Sequence, residues 1–135
     1  MLKGEEIMVS HYRDPAVDAA YDAQLLENRK TGYCVFCHYT TEAVTIRSFE
    51  NFVAIENKYP YTMWEHGEVR HHWLIIPKLH LISFKQFSEG EKVEYLDIVG
   101  MFEASRFHAY TRGMQVKERS IAHHHTHLVL TEKNC

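Results

Sequence analysis

The sequence predicts an α+β fold: a five-stranded antiparallel sheet with helices packed on one face and an extra helix at the N-terminus. Two stretches with helix-start signals, 14–30 and about 88–104, alternate with five short segments rich in branched and aromatic residues. The order is helix, three strands, helix, two strands, and an antiparallel sheet covered by helices is the natural architecture for it. With 135 residues, three Pro and six scattered Gly, nothing divides the chain, so residues 1–135 are expected to form one domain.

Asp14-Pro15 combines an N-cap residue with proline at the first helical position. Val17, Tyr21 and Leu25 follow at four-residue spacing, and Gly32 supplies a stop, which gives a helix over 14–30. Ala43 to Arg47 and Phe52 to Glu56 are strand-like, with a turn at Ser48 to Asn51. Residues 57–71 are polar and contain Pro60 and Gly67, and are expected to be irregular. His72 to Pro77 reads as the third strand. Ser88-Glu89-Gly90-Glu91 fits a capping box, and Val93, Leu96, Val99 and Phe102 follow at three-residue steps. Arg106 to Arg112 and Ala122 to Leu130 complete the sheet.

Hydrophobic residues make up 45% and charged residues 24%, as in an ordinary soluble protein. The formal net charge of −3 argues against a general nucleic-acid binder, while leaving room for a small anionic ligand in a locally positive pocket. Met1 to Ser10 has no apolar signal region, and the run Trp73 to Ile76 is too short to span a bilayer, so a cytoplasmic protein without a membrane partner is expected. Three Cys, two of them in Cys34-Val35-Phe36-Cys37 and the third at Cys135, suit a reducing compartment and a metal or redox role.

The unusual number is eleven His, six of them in two tight groups: His71, His72 and His80, then His123, His124 and His125. In a strand alternate side chains share a face, so His123, His125 and His127 would form a row spaced about 6.6–6.8 Å apart. Such a row is unlike an ordinary core, because buried imidazoles need partners. Three ligands so spread along one strand cannot all reach one zinc at about 2.0–2.1 Å, although two can with help from elsewhere. The other use is phosphate chemistry, in which a neutral imidazole attacks phosphorus while its neighbours donate to the phosphoryl oxygens.

His123-His124-His125-Thr126-His127-Leu128-Val129, with Ser120 three residues earlier, resembles the HxHxHxx signature of the histidine triad (HIT) superfamily of nucleotide hydrolases and transferases. His72-Trp73-Leu74-Ile75-Ile76-Pro77-Lys78-Leu79-His80 resembles the family's H-x-L-V-I-P-K-x-H segment, and Asn57-Lys58-Tyr59-Pro60-Tyr61 its NxYPY segment. These motifs occur in the family's order and cover about residues 34–130, leaving 1–33 as an N-terminal helical extension. The resemblance implies His125 as the nucleophile, with His127 and Ser120 holding phosphate oxygens or the leaving group. His72 would line the phosphate pocket or support the triad, and Asn57 would lie near the ribose. Gln115 is the candidate for a family asparagine upstream of the triad. The implied substrate is an AMP or GMP derivative with a phosphoanhydride or phosphoramidate bond. That would make the chain a phosphoramidase or a dinucleoside polyphosphate hydrolase, usually a homodimer.

In the family's zinc-containing branch the CxxC pair is joined by the histidine after IPK and the first triad histidine. Here those positions are Cys34, Cys37, His80 and His123, implying a structural Cys₂His₂ zinc site. His124 and Thr126 stand where the family has apolar residues, and 14 residues separate Asn57 from His72, which places an inserted loop at Trp64 to Arg70. Two other readings compete with the enzyme. One is a nucleotide-binding or sensing module without turnover, against which the middle histidine argues, since binding alone does not need it. The other is a metal-dependent hydrolase using His72, His123 and His125, which lacks a carboxylate close by. His11, His38, His66 and His108 receive no role, and Tyr59, Tyr61 and Trp64 are as readily core as base-stacking residues.

Overall fold

In the computed structural model, residues 12–42 and 45–132 are described. Helix α1 (Pro15–Thr31) begins where Asp14 accepts a hydrogen bond from Ala16 N–H. It ends at Gly32, whose φ of +73° is the left-handed conformation that glycine adopts without a Cβ penalty. No residue of α1 is fully buried. A second helix, α2 (Val35–Glu42), follows in a stretch for which the sequence predicts no element. Its Thr, Val and aromatic residues are indifferent helix formers, so tertiary contact decides: Phe36 is buried against the sheet.

Strands β1 (Thr45–Ser48) and β2 (Phe52–Glu56) pair antiparallel across the expected turn. Of the predicted first strand, residues 43–44 lie outside the described residues. The stretch 57–71 is not irregular throughout. Strand β3 (Met63–Trp64) and the 11-residue β4 (Gly67–Pro77) form a hairpin joined by Glu65 and His66, both at positive φ, 49° and 67°. Asn-Gly is the usual signal for that two-residue turn, and its absence hid the hairpin in the sequence. Gly67 sits tightly for a different reason: a Cβ there would lie 3.1 Å from Thr131 Cβ, which would have to give by a few tenths of an ångström.

Helix α3 (Glu89–Glu103) carries the predicted capping box, Ser88 and Glu91 bonding each other's backbone N–H. Strand β5 (His108–Tyr110) is shorter than the predicted 106–112. Strand β6 (Thr126–Thr131) starts four residues later than predicted, so His123 to His125 precede it. The five-stranded path is β1-β2-β4-β6-β5, with β3 added on β4, and every pairing is antiparallel.

The α+β class and the antiparallel sheet are as the sequence predicts, but the helices flank both faces. Val53, Ile55, Leu74 and Ile76 pack with Phe36 of α2 on one side. Phe52, Ile75 and Leu128 pack with Ile98 of α3 on the other. Continuous apolar runs in β2 and β4 are the sequence sign of a strand covered on both sides. Among the described residues no helix is long and apolar enough to cross a membrane.

Candidate active site and metal centre

Sheet register brings the histidines together. Leu74 lies opposite His127 and His72 opposite Val129, so His72 and His127 point to the α2 side. His125 reaches the same side, its ring 5.1 Å from His127 and 4.9 Å from Phe36. Of the predicted row, His125 and His127 share this side, and only His127 belongs to the strand.

Hydrogen bonds fix which nitrogen of each ring holds the proton. Burial, with Arg13 and other charges adding, pushes His72 down to about 3, so its ring is neutral. The backbone N–H of Tyr61 donates to His72 Nδ1 at 3.0 Å, which leaves the proton on Nε2. Nε2 donates in turn to His127 Nδ1 at 3.0 Å, so the proton of His127 sits on its own Nε2. That Nε2 is buried and has no hydrogen-bond partner among the described residues. His125 is arranged in the opposite sense: Nδ1–H donates to the His123 carbonyl at 2.9 Å, and Nε2 keeps its lone pair. Burial, against that hydrogen bond and with Arg119 and His123 assisting, holds His125 at about 4.

Both rings line a cavity of about 180 Å³ between α1, α2 and the sheet. Phe36, Leu74 and Ile121 form its apolar wall, and Asn57 and Tyr59 lie at its rim of polar groups. Asn57 uses Oδ1 to accept from Tyr59 N–H at 2.9 Å, while its Nδ2 lies 3.4 Å from the His72 ring. Ser120 hydrogen-bonds the hydroxyl of Tyr21, another lining residue. Gln115 is exposed and does not line the cavity. Arg13, Tyr21, Gln24 and Asn28 of the N-terminal segment line it without having been expected to. Also missed was Arg112, just after β5, whose guanidinium donates to Tyr61 Oη at 2.7 Å. A lone Arg after a short strand carries no sequence signal of such a place.

Cys34, Cys37, His80 and His123 converge separately, with one ligand atom from each all within 4.8 Å of one another. His123 Nε2–H donates to the Pro77 carbonyl at 2.9 Å, which turns the Nδ1 lone pair toward the group. Nδ1 lies 3.5 Å from Cys34 Sγ, 3.6 Å from Cys37 Sγ and 3.2 Å from His80 Nδ1. A tetrahedron with Zn–N of about 2.0–2.1 Å and Zn–S of about 2.3 Å has edges of about 3.3–3.8 Å. Four of the six donor–donor distances, 3.1–3.6 Å, lie in or close to that range, and the donor set is the one a tetrahedral Cys₂His₂ site uses. Burial and the neighbouring Cys34 push the Cys37 thiol up to about 11, so a bound cation is what would favour the thiolate.

No protein-family model matches the chain, and no curated protein matches it. Solved structures do. A hypothetical histidine triad nucleotide-binding protein from Sulfolobus tokodaii is 24% identical, with a TM-score of 0.56 over 75% of this chain and 71% of that one. A HIT family hydrolase from Legionella pneumophila gives 17% identity and a TM-score of 0.54 over 75% and 94% of the respective chains. A Zn-bound histidine triad protein from Mycobacterium smegmatis gives 23% and 0.53 over 75% and 76%. The chain has the histidine triad fold.

Within that fold, this triad departs on its reverse side. His124 is buried against Phe84, Phe87 and Tyr95, with neither ring nitrogen hydrogen-bonded among the described residues. Thr126 is satisfied instead, by the hydroxyls of Tyr95 at 2.6 Å and Thr111 at 2.7 Å. Both positions are thus buried, though filled with polar side chains.

These buried imidazoles are expected to make the domain acid-labile. His72, His124 and His125 are held at about 3, 3 and 4, and burial also drives His127 well below its ordinary value. Each folded value lies below the unfolded one, about 6.5, so the stability involved is complete above that pH. It is lost as pH falls toward the folded values, at up to about 1.4 kcal/mol per pH unit for each ring. Four rings exhaust a stability of about 5–15 kcal/mol within roughly one to three units. Circular dichroism against pH should show cooperative unfolding between about pH 5.5 and 3.5; a chain still native at pH 3 contradicts the buried, neutral rings.

Proposed function

We propose that the chain is a nucleotide hydrolase or nucleotidyl transferase that passes a nucleoside monophosphate group through His125. One observation carries this reading: the hydrogen-bond pattern leaves a bare lone pair on His125 Nε2 and an unused N–H on His127 Nε2, both at one cavity. A lone pair attacks phosphorus, and an N–H beside it neutralises charge on a phosphoryl oxygen. With a pKa of about 4, His125 is already deprotonated at neutral pH.

His125 Nε2 bonds to the α-phosphorus as the phosphoanhydride or phosphoramidate bond to the leaving group breaks. The His123 carbonyl, accepting from Nδ1–H, stabilises the positive charge the imidazole gains. Water then attacks the phosphorus, the bond from phosphorus to Nε2 breaks, and the nucleoside monophosphate and a proton leave the ring neutral as at the start. His72, fixed by Tyr61 N–H, holds His127 in the donating tautomer, and Ser120 with Tyr21 contributes hydroxyls beside the site. Asn57 positions His72 and the Tyr59 turn, and the ribose lies against it.

The second centre binds zinc through Cys34, Cys37, His80 and His123. The bound metal supplies folding energy, tying α2 to the segment after β4 and to the start of the histidine run. Rapid quenching of the full chain with an adenosine 5′-phosphoramidate or a diadenosine polyphosphate tests the catalytic reading. Intact-mass analysis should show the added mass of one nucleoside monophosphate, mapping to the peptide that contains residue 125. Binding without any adduct or turnover would favour the sensing module instead.

The protein works as a homodimer paired through residues 92–112. On α3, Val93 and Leu96 are 61% and 68% exposed, while Val99 and Phe102 turn inward onto the core. The edge strand β5 lies alongside, and an exposed edge favours pairing. Light scattering should give about twice the 15.9 kDa chain mass, and Leu96→Glu should halve it. A wild-type mass that stays monomeric as concentration rises rules the pairing out.

A further inference from the structure

A helix that packs directly on a sheet presents apolar side chains and buries them. The inward face of α1 does neither. Tyr21, Gln24, Leu25 and Asn28 recur at three- and four-residue steps, all four line the cavity, and none is fully buried. Three of the four are polar. The wall opposite is apolar, made by Phe36, Leu74 and Ile121, with His125 and His127 at its chemical end. The helix therefore stands off the sheet, and the space between them has one greasy side and one side offering hydrogen bonds.

Gln24 and Asn28 form a connected pair. Gln24 Nε2 donates to Asn28 Oδ1 at 2.9 Å, which holds the two carboxamides side by side. That bond leaves Gln24 Oε1 as an acceptor and Asn28 Nδ2 as a donor, and neither bonds another described residue. An adjacent acceptor and donor complement the polar edge of a nucleobase, which carries one donor next to one acceptor.

We propose that α1 is the base-reading wall of the nucleotide site, with Gln24 and Asn28 the residues that set base selectivity. This rests on the nucleotide reading of the triad and adds to it a specificity determinant outside the histidine motifs. The base lies between the helix and the Phe36 wall, with its edge on the carboxamide pair. Its phosphate lies at His125 and His127. Tyr21, bonded to Ser120, links the base-reading helix to the phosphate end.

Calorimetric titration of the full chain with AMP, GMP, CMP and UMP tests the proposal. Wild type should separate its best base from its worst by about tenfold or more, as a good two-point contact to a base edge does. Gln24→Leu and Asn28→Leu should each compress that spread to within about threefold, by weakening the best ligand rather than improving the worst. Asn28→Asp replaces a donor by an acceptor. It should move the preference toward GMP, whose edge presents N1–H and an amino group together. A wild type blind to the base, or leucine variants that keep its full spread while folded by circular dichroism, overturns the proposal and leaves the triad reading intact. If none of the four nucleotides binds wild type, the triad reading falls, and this one with it.

Discussion

His125→Ala is expected to lower turnover of every substrate that wild type cleaves by at least roughly three orders of magnitude, because the covalent route is lost outright. Affinity for AMP should change by less than about tenfold, since the apolar wall, Asn57 and His127 remain in place. The ring is 7% exposed and touches Phe36, so some loss of stability is also expected, and thermal unfolding measured alongside separates the two effects. The intermediate seen with wild type should vanish in the variant. His127→Ala should cost less in turnover, because it removes one donor and leaves the nucleophile with its carbonyl partner. Substantial turnover by His125→Ala would falsify the proposed mechanism.

Loss of the metal centre is the other large effect. Cys34→Ser or His80→Ala removes one of the four ligands, and metal analysis should fall from about one zinc per chain to well below that. Structural zinc contributes folding free energy directly, so losing several kcal/mol should lower Tm by roughly 10–20 °C in a domain of this size. His127→Ala lies outside the cluster and should keep the metal. A strong chelator should reproduce the destabilisation in wild type. Protein stripped of metal that melts where the untreated protein does would exclude a structural role for this centre.

Local signals were legible wherever a short motif dictates backbone geometry on its own. Asp14-Pro15 with Gly32 placed α1, and Ser88 with Glu91 placed α3, because caps satisfy terminal N–H groups whatever the rest of the chain does. The convergence of Cys34, Cys37, His80 and His123 was implied by family resemblance, and the fold brings those four together. What stayed hidden depends on distant contacts. Helix α2 forms on the packing of Phe36, and the hairpin turn at Glu65 and His66 uses residues that do not advertise positive φ. The stripe of Val17, Tyr21 and Leu25 suggests a helix seated on a core, yet the useful information lies in Gln24 and Asn28 beside it. Gln115 is exposed in a turn, away from the cavity, because the loop between β5 and the histidines carries it to the surface.

His123, His124 and His125 are chemically identical neighbours with unrelated surroundings. The first turns toward two thiols, the second lies among aromatic rings on the reverse of the sheet, and the third opens on the cavity. Only main-chain positioning tells them apart: His124 N–H to the Leu81 carbonyl, His123 to Pro77, and His125 back to His123. Losing one histidine from this run keeps a histidine two residues before His127 but puts Ala122 four residues before it, where the thiol-facing ring stands, while gaining one keeps histidine at both places and moves Ser120 one residue further off. A shorter run therefore costs the thiol-facing ring before it costs the ring that opens on the cavity, although the three letters look interchangeable.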